Sequence, residues 1–382
     1  QQQLVPHVPI TITLPIEIFD KEDEIYNVQV KFSLVANHSL DAISFATNTS
    51  TSATEIIEYL DLERATMYIP PNYFRWTDPQ TWNATGAAYI ERNGTMVPHG
   101  TMPITNDTVV VRPGKNLLLD ERETPILRGI KVLEGSEFRF ADISDLHLSF
   151  QYMIVTGHNS LLAIGDNHTR RHLRKATVTF LTPDDIQENI VLNKFSLPIH
   201  AGTKGIIITD GASAEIYGRY DTSWTTLAAT AQAGQNYIIV EGHVTWRREQ
   251  IIVLASTDFD QYQAEQLQIM GTQFISYNNV SCTNISIRTV ATVGGSLIHV
   301  NDSLAYMHHG NYTEEGIPHF AEVGLISRNV VFKGDAQSDH VGIIDNYGFG
   351  GQFNFFHNVT RIYIDSVELT RMGQLGFMAR YP

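Results

Sequence analysis

The sequence predicts an all-β protein built largely as a solenoid, and three observations carry that prediction. Short runs rich in Ile, Val and Leu recur at roughly ten-residue intervals from Val109 onward, each closed by Gly, Asp or Asn. About fifteen such runs follow one another, more than one sandwich core usually takes. No segment among them is long and regular enough to be a core helix. Stacked strand on strand at about 4.8 Å, such runs bury inward-facing Ile, Val and Leu and leave an open β edge at each end of the stack.

From the N-terminus, QQQLVPHVPITITLPIEIFD (1–20) spaces strand formers among Pro6, Pro9 and Pro15. That is the pattern of an extended arm or edge strand, pairing within its own chain or adding to a neighbour's sheet. Residues 21–108 read as a smaller β-rich region. In it, EIYNVQVKFSLVANHSLDAISF (24–45) is a strand pair and TEIIEYLDLER (54–64) a short helix. Residues 66–107, with Trp76 and Trp82, form an aromatic-rich irregular stretch that either packs over the core or offers a glycan-stacking face. At Val109 the texture changes: VVVRPGKNLLLD, ILRGIKVLEGSEFRF, LHLSFQYMIVTG and SLLAIGD open the regular pattern, and GIIITDG, SAEIYG, NYIIVEG and QIIVLASTD continue it.

Acidic residues number 41 against 26 basic ones, a net charge of −15, which disfavours nucleic acid and anionic membranes as partners. Eleven N-x-S/T sequons begin at Asn37, Asn48, Asn83, Asn93, Asn106, Asn167, Asn279, Asn284, Asn301, Asn311 and Asn358. Their number points to N-glycans and to a eukaryotic secretory route, hence to a secreted or cell-surface protein. The lone Cys282 permits no intrachain disulfide, so the fold must be held by its own core. No run of about twenty apolar residues is present to span a membrane. The chain opens on QQQ, as a processed mature chain does.

Three stretches carry candidate chemistry. In STDFD, Asp258 and Asp260 fall on one side of a strand, and with Glu265 they are candidate ligands for a calcium ion; turn capping is the competing account. In YMHHGNYTEEGIPH, His308 and His309 point to opposite sides of an extended chain, and His309 with Glu322 is a candidate acid–base pair. In HTRRHLRK, Arg170, Arg171, Arg174 and Lys175 make the one dense basic patch; with Arg371 and Arg380 it could hold an acidic polysaccharide, or it could meet a lipid headgroup, and a solvated turn paired with nearby acids is the simpler account. No phosphate loop, nucleophile elbow, dinucleotide fingerprint or Cys-pair metal motif occurs.

The blocks GKNLLLD, ILRGIKVLEGSEFRF and YMIVTGHNSLLAIGD resemble the G8 domain of large extracellular proteins. GTKGIIITDGASAEIYGR, SWTTLAATAQAGQNYIIVEG, AEVGLISRNVVFKGD and VELTRMGQLGFMARYP are similar to the segment beside G8 in fibrocystin-like receptors and in hyaluronan-depolymerising proteins. The resemblance implies a right-handed parallel β-helix, with a G8-like domain at 109–220 and further parallel rungs over 221–382. Family members usually continue past RYP with a histidine-bearing segment and more rungs, and this chain stops at Pro382. The expectation is an extracellular N-glycosylated structural or adhesive glycoprotein that self-assembles through its N-terminal arm and exposed β edges. The alternative is a calcium-assisted, hyaluronidase-like enzyme using Asp258, Asp260, His309 and Glu322 in a groove on the β-helix.

Overall fold

Strand-forming runs this short cannot bury a face alone, so they stack, and register decides which side chains meet. The computed structural model describes residues 13–19, 25–31, 72–143, 145–166, 171–182, 191–194, 197–200, 204–275, 294–339 and 350–373. For 13–19, 25–31, 191–194 and 197–200 it describes the backbone only.

The chain divides into two units, Gln1–Glu55 and Ile56–Pro382. In the first, Thr13–Phe19 pairs antiparallel with Ile25–Lys31, from Thr13 opposite Lys31 to Phe19 opposite Ile25. Ile25–Lys31, from the strand pair expected within 24–45, pairs with the N-terminal arm, and 32–45 lies outside the described residues. The helix expected at 54–64 lies outside the described residues.

The second unit contains two ladders of parallel strands. In one, Tyr73–Arg75, Asn116–Leu119, Glu137–Phe140, Leu161–Ile164, Ser213–Tyr217 and Arg361–Asp365 follow side by side. Register lines up Leu117, Phe138, Leu162 and Ala214 as one buried column, while Glu137 and Arg139 alternate outward. In the other, Thr108–Val111 pairs with Leu127–Val132, and that strand with Leu146–Thr156. Leu146–Thr156 is long enough to support two strands: Ala176–Phe180 lies along its first half and Gly205–Thr209 along its second. The first branch continues to Val330–Gly334 and Val367–Thr370, the second to Gln352–Phe355. Phe150, Phe180, Phe332 and Phe353 pack between the branches with ring centroids 5.0–6.2 Å apart.

Residues 72–108 pack with the strands that follow them. Trp76 and Trp82, each 1% exposed, meet edge to face at 5.1 Å in the main hydrophobic core. Ala88–Arg92 pairs antiparallel with Thr108–Val111, so the ladder begins under an aromatic, antiparallel cover. The aromatic-rich stretch is therefore core packing at these two residues, because an end layer without apolar cover would leave Leu117 and Val109 in water.

The expectation of parallel rungs throughout 221–382 is corrected for 224–325. There six strands run antiparallel in the order Trp224–Thr226, Glu322–Leu325, Ile251–Leu254, Glu265–Ile275, Gly295–Val300, Tyr237–Glu241. They enclose a separate core that includes Ile238, Val240, Trp246, Ile252, Leu267, Ile298 and Val323. A β-branched run suits either direction, and direction is set by what connects the strands.

The inserted module leaves the ladder after Ser213–Tyr217 and rejoins it before Val330–Gly334, and Asn329 joins the two crossings. Its Oδ1 accepts from the Arg219 N–H at 2.8 Å, and its Nδ2 donates to the carbonyls of His172 and Arg174 at 2.7 and 2.8 Å. Nearby, buried Asp221 accepts from Arg219 at 3.1 Å and from Gln250 at 3.0 Å. Asn329→Ala strands one buried donor and two acceptors, and is expected to cost about 3 kcal/mol in urea denaturation. A loss under 1 kcal/mol would show that the junction does not depend on this side chain.

Candidate functional site

The loop after Ile251–Leu254 is shaped by its own polar side chains. The Asp258 carboxylate accepts from the Phe259 N–H at 2.7 Å, and Asp260 accepts from the Tyr262 N–H at 2.9 Å, capping the 3₁₀ turn Gln261–Gln263. Ser256 Oγ donates to the Asp260 carbonyl at 2.8 Å. Both aspartates are exposed and engaged as turn caps, which is the simpler of the two sequence readings.

Glu265 turns to a different task. It accepts from the N–H groups of Ala305 and Tyr306 at 2.8 and 3.1 Å and lies 2.8 Å from His308 Nε2. Burial pushes its carboxyl up, but the Ala305 N–H, His308 and the Tyr306 N–H outweigh that and hold it below the ordinary glutamate range. Glu265 therefore clamps the 305–308 segment, away from any shared site with Asp258 and Asp260. Among the described residues, no group of three or more His, Cys, Asp and Glu side chains is placed to hold a metal ion.

The expected His309–Glu322 pair is replaced by another. His308 is fully buried, with Nδ1 2.8 Å from the Ala255 carbonyl oxygen and Nε2 2.8 Å from Glu265 Oε1, so the ring bridges the two. His309 bonds through Nδ1 to the His319 carbonyl at 3.0 Å and stacks on the His319 ring at 4.9 Å. Glu322 is exposed on the strand Glu322–Leu325.

The basic segment is partly committed to the fold. Arg171 pairs with Asp365 at 2.6 Å, donates to the Gly218 carbonyl at 3.0 Å and lies over the rings of Tyr217 and Tyr220. Arg174 is half-buried; Lys175 and Arg371 are exposed. Arg170 and Arg380 lie outside the described residues.

One charged centre gave little signal in the sequence. Lys204, with no side-chain exposure, donates to Thr182 Oγ1 at 3.0 Å, Ser338 Oγ at 2.9 Å and Asp335 Oδ1 at 3.3 Å. Asp335 also accepts from the Thr182 N–H at 2.7 Å and the Thr182 hydroxyl at 2.9 Å. Burial pushes the Asp335 carboxyl up, but the Thr182 N–H, Lys204, and the Thr182 and Ser338 hydroxyls hold it below the ordinary aspartate range. Burial pulls the Lys204 ammonium below the ordinary lysine range against the attraction of Asp335. Asp335 directly follows the strand Val330–Gly334, and Thr182 lies two residues beyond Ala176–Phe180. Paired strand ends bring them together, a juxtaposition invisible in the separate motifs FLTP and FKGD.

Of the sequon asparagines, Asn83, Asn93, Asn106, Asn301 and Asn358 are exposed and Asn311 is half-buried. Asn37, Asn48, Asn167, Asn279 and Asn284 lie outside the described residues.

The G8 domain family model matches residues 95–228, a wider span than the 109–220 read from the motifs. A G8 domain-containing protein of Dictyostelium discoideum is 26% identical over 351 residues, covering 88% of this chain and 26% of that protein. Fibrocystin of Canis lupus familiaris is 26% identical over 277 residues, covering 70% of this chain and 6% of fibrocystin. For fibrocystin of Mus musculus the figures are 27%, 278 residues, 71% and 6%. The chain thus spans about a quarter or less of the length of these relatives. The parallel ladders run through residues 95–228, the stretch that matches the G8 domain, and the relatives similar to this chain are named G8 domain-containing proteins and fibrocystin.

Proposed function

We propose that this protein is an extracellular, N-glycosylated adhesive or receptor-like glycoprotein whose parallel ladders are faces of a right-handed β-solenoid serving as a rigid rod. The observation that carries this reading is the placing of the sequons. Five of the six described sequon asparagines are exposed, and Asn93, Asn106 and Asn358 sit at left-handed turn positions with φ of 51°, 67° and 55°. A glycan there projects clear of the strands. The resemblance to fibrocystin-like receptors supports a surface location. No described helix is long and apolar enough to cross a membrane.

Self-association fits the far end of the ladders. Among the described residues, Gln352–Phe355, Arg361–Asp365 and Val367–Thr370 each have a strand neighbour on one side only, and Phe355, Tyr363 and Leu369 are 43–50% exposed. An open β edge with apolar side chains is a template for a strand from a second copy, and the N-terminal arm is the segment we assign to it. The other reading, calcium-assisted cleavage of an acidic polysaccharide, asks Asp258, Asp260, His309 and Glu322 to converge on one sugar. The capping role of the aspartates and the His309–His319 contact speak against it.

The test is secretion of the chain from a eukaryotic host, followed by glycopeptide mapping, solution mass with and without residues 1–20, and incubation with size-defined hyaluronan with and without calcium. Glycans on the exposed asparagines, an assembly that shrinks on truncation and unchanged hyaluronan are the expected results. Bare sequons, or calcium-dependent shortening of hyaluronan, would overturn the proposal.

A further inference from the structure

The tip of the antiparallel module displays apolar surface that the fold does not use. Phe259 is 108% exposed and Tyr262 82%; on the adjoining loop Tyr306 and Met307 are 42% and 50% exposed. Leaving large apolar side chains in water forgoes the free energy of burying them, so such a display calls for another explanation. The backbone beneath is fixed by the Asp258, Asp260 and Ser256 hydrogen bonds described above. The two loops are joined where the His309 N–H donates to Thr257 Oγ1 at 2.9 Å and where Glu265 accepts from Ala305 and Tyr306. Aromatic rings on a pre-ordered loop lose little entropy when a ligand covers them.

Charge narrows the ligand. From Trp224 to Leu325 the sequence holds nine Asp or Glu residues and three basic ones, Arg247, Arg248 and Arg288. A uronate polymer, a sulfated glycan or an anionic lipid is repelled by such a module. The polar groups beside the rings are hydroxyl acceptors and amides: Asp258, Asp260, Gln261 and Gln263. A carboxylate presents about four acceptor sites and the capping bonds use only some of them, leaving lone pairs for sugar hydroxyls. An uncharged sugar ring has an apolar C–H face for an aromatic ring and hydroxyls around its rim for these acceptors.

We propose that this tip is a binding site for neutral glycans, chains of uncharged hexoses, with Phe259 and Tyr262 as the stacking platform and Asp258 and Asp260 as hydroxyl acceptors. The site is separate from the basic segment at 170–175 and does not depend on the chain's own glycosylation or assembly.

The test titrates the full chain, at low and high salt, with cellohexaose, laminarihexaose and mannohexaose as neutral probes and with hyaluronan hexasaccharide and polylysine as charged ones. Saturable binding of at least one neutral probe, unchanged by salt and weakened at least about tenfold in Phe259→Ala and in Tyr262→Ala, is the expected result. Both rings are exposed, so both variants keep the wild-type melting temperature. The proposal is overturned if no neutral probe binds, or if binding survives both substitutions. It is equally overturned if only polylysine binds and salt abolishes the binding, which would make the tip a docking surface for a cationic protein.

Discussion

Asp335→Ala is expected to destabilise the folded chain by about 3–5 kcal/mol, because it removes the carboxylate that pairs with the buried Lys204 ammonium and accepts from the Thr182 N–H and the Thr182 and Ser338 hydroxyls. Lys204 has no side-chain exposure, and it also donates to the hydroxyls of Thr182 and Ser338. The cost belongs to taking one partner out of a buried charge network and not to the ion pair as such. The double substitution Lys204→Met with Asp335→Leu should therefore recover most of the loss. Urea denaturation of the wild type, the single variant and the pair measures this. A single variant within 1 kcal/mol of wild type would show that the buried ammonium does not depend on Asp335.

The same carboxylate predicts a pH dependence. Its folded value lies below the ordinary 3.8, so its contribution is fully present above that value and is lost as pH falls through the folded one. Wild-type stability should drop on acidification below about pH 4, and Asp335→Ala should show a shallower drop over that window.

Gly205→Ala is expected to cost about 3 kcal/mol, by strain and by collision together. Gly205 has φ of 145°, a conformation that side chains rarely adopt, and an added Cβ would lie 2.1 Å from the Gln352 carbonyl oxygen. That contact is backbone, so no side chain can swing aside. The residue sits between two neighbouring strands, opposite Tyr152 on one side and Gln352 on the other, and the substitution should loosen Gln352–Phe355 first. Hydrogen exchange of the amides in 352–355 reports this directly. Gly271→Ala, where an added Cβ meets nothing within 4 Å, is the control and should leave that exchange unchanged.

Much of the architecture was legible in short-range pattern. Alternating burial in EFRF, with Phe138 and Phe140 inward and Glu137 and Arg139 outward, is a local property of an extended chain. The ordered G8-like blocks were equally local, and so were the aspartate caps of STDFD, since a carboxylate reaches the N–H one or two residues on without help from the fold.

What lay beyond the sequence was pairing between distant segments. IIVL and YIIVE read like every other run, yet they lie in an antiparallel module, because a strand's composition does not record the direction of its neighbour. A turn paired with acids was legible for Arg171, but its partner was not: the ladder brings Asp365, 194 residues away, to 2.6 Å. Lys204 and Asp335, 131 residues apart, became a buried pair only when neighbouring strands aligned their ends. Residue type and spacing set what each segment can do within its own few ångströms. Which charges end up buried, and against which partner, depends on long-range register, and that is fixed by packing of the whole stack.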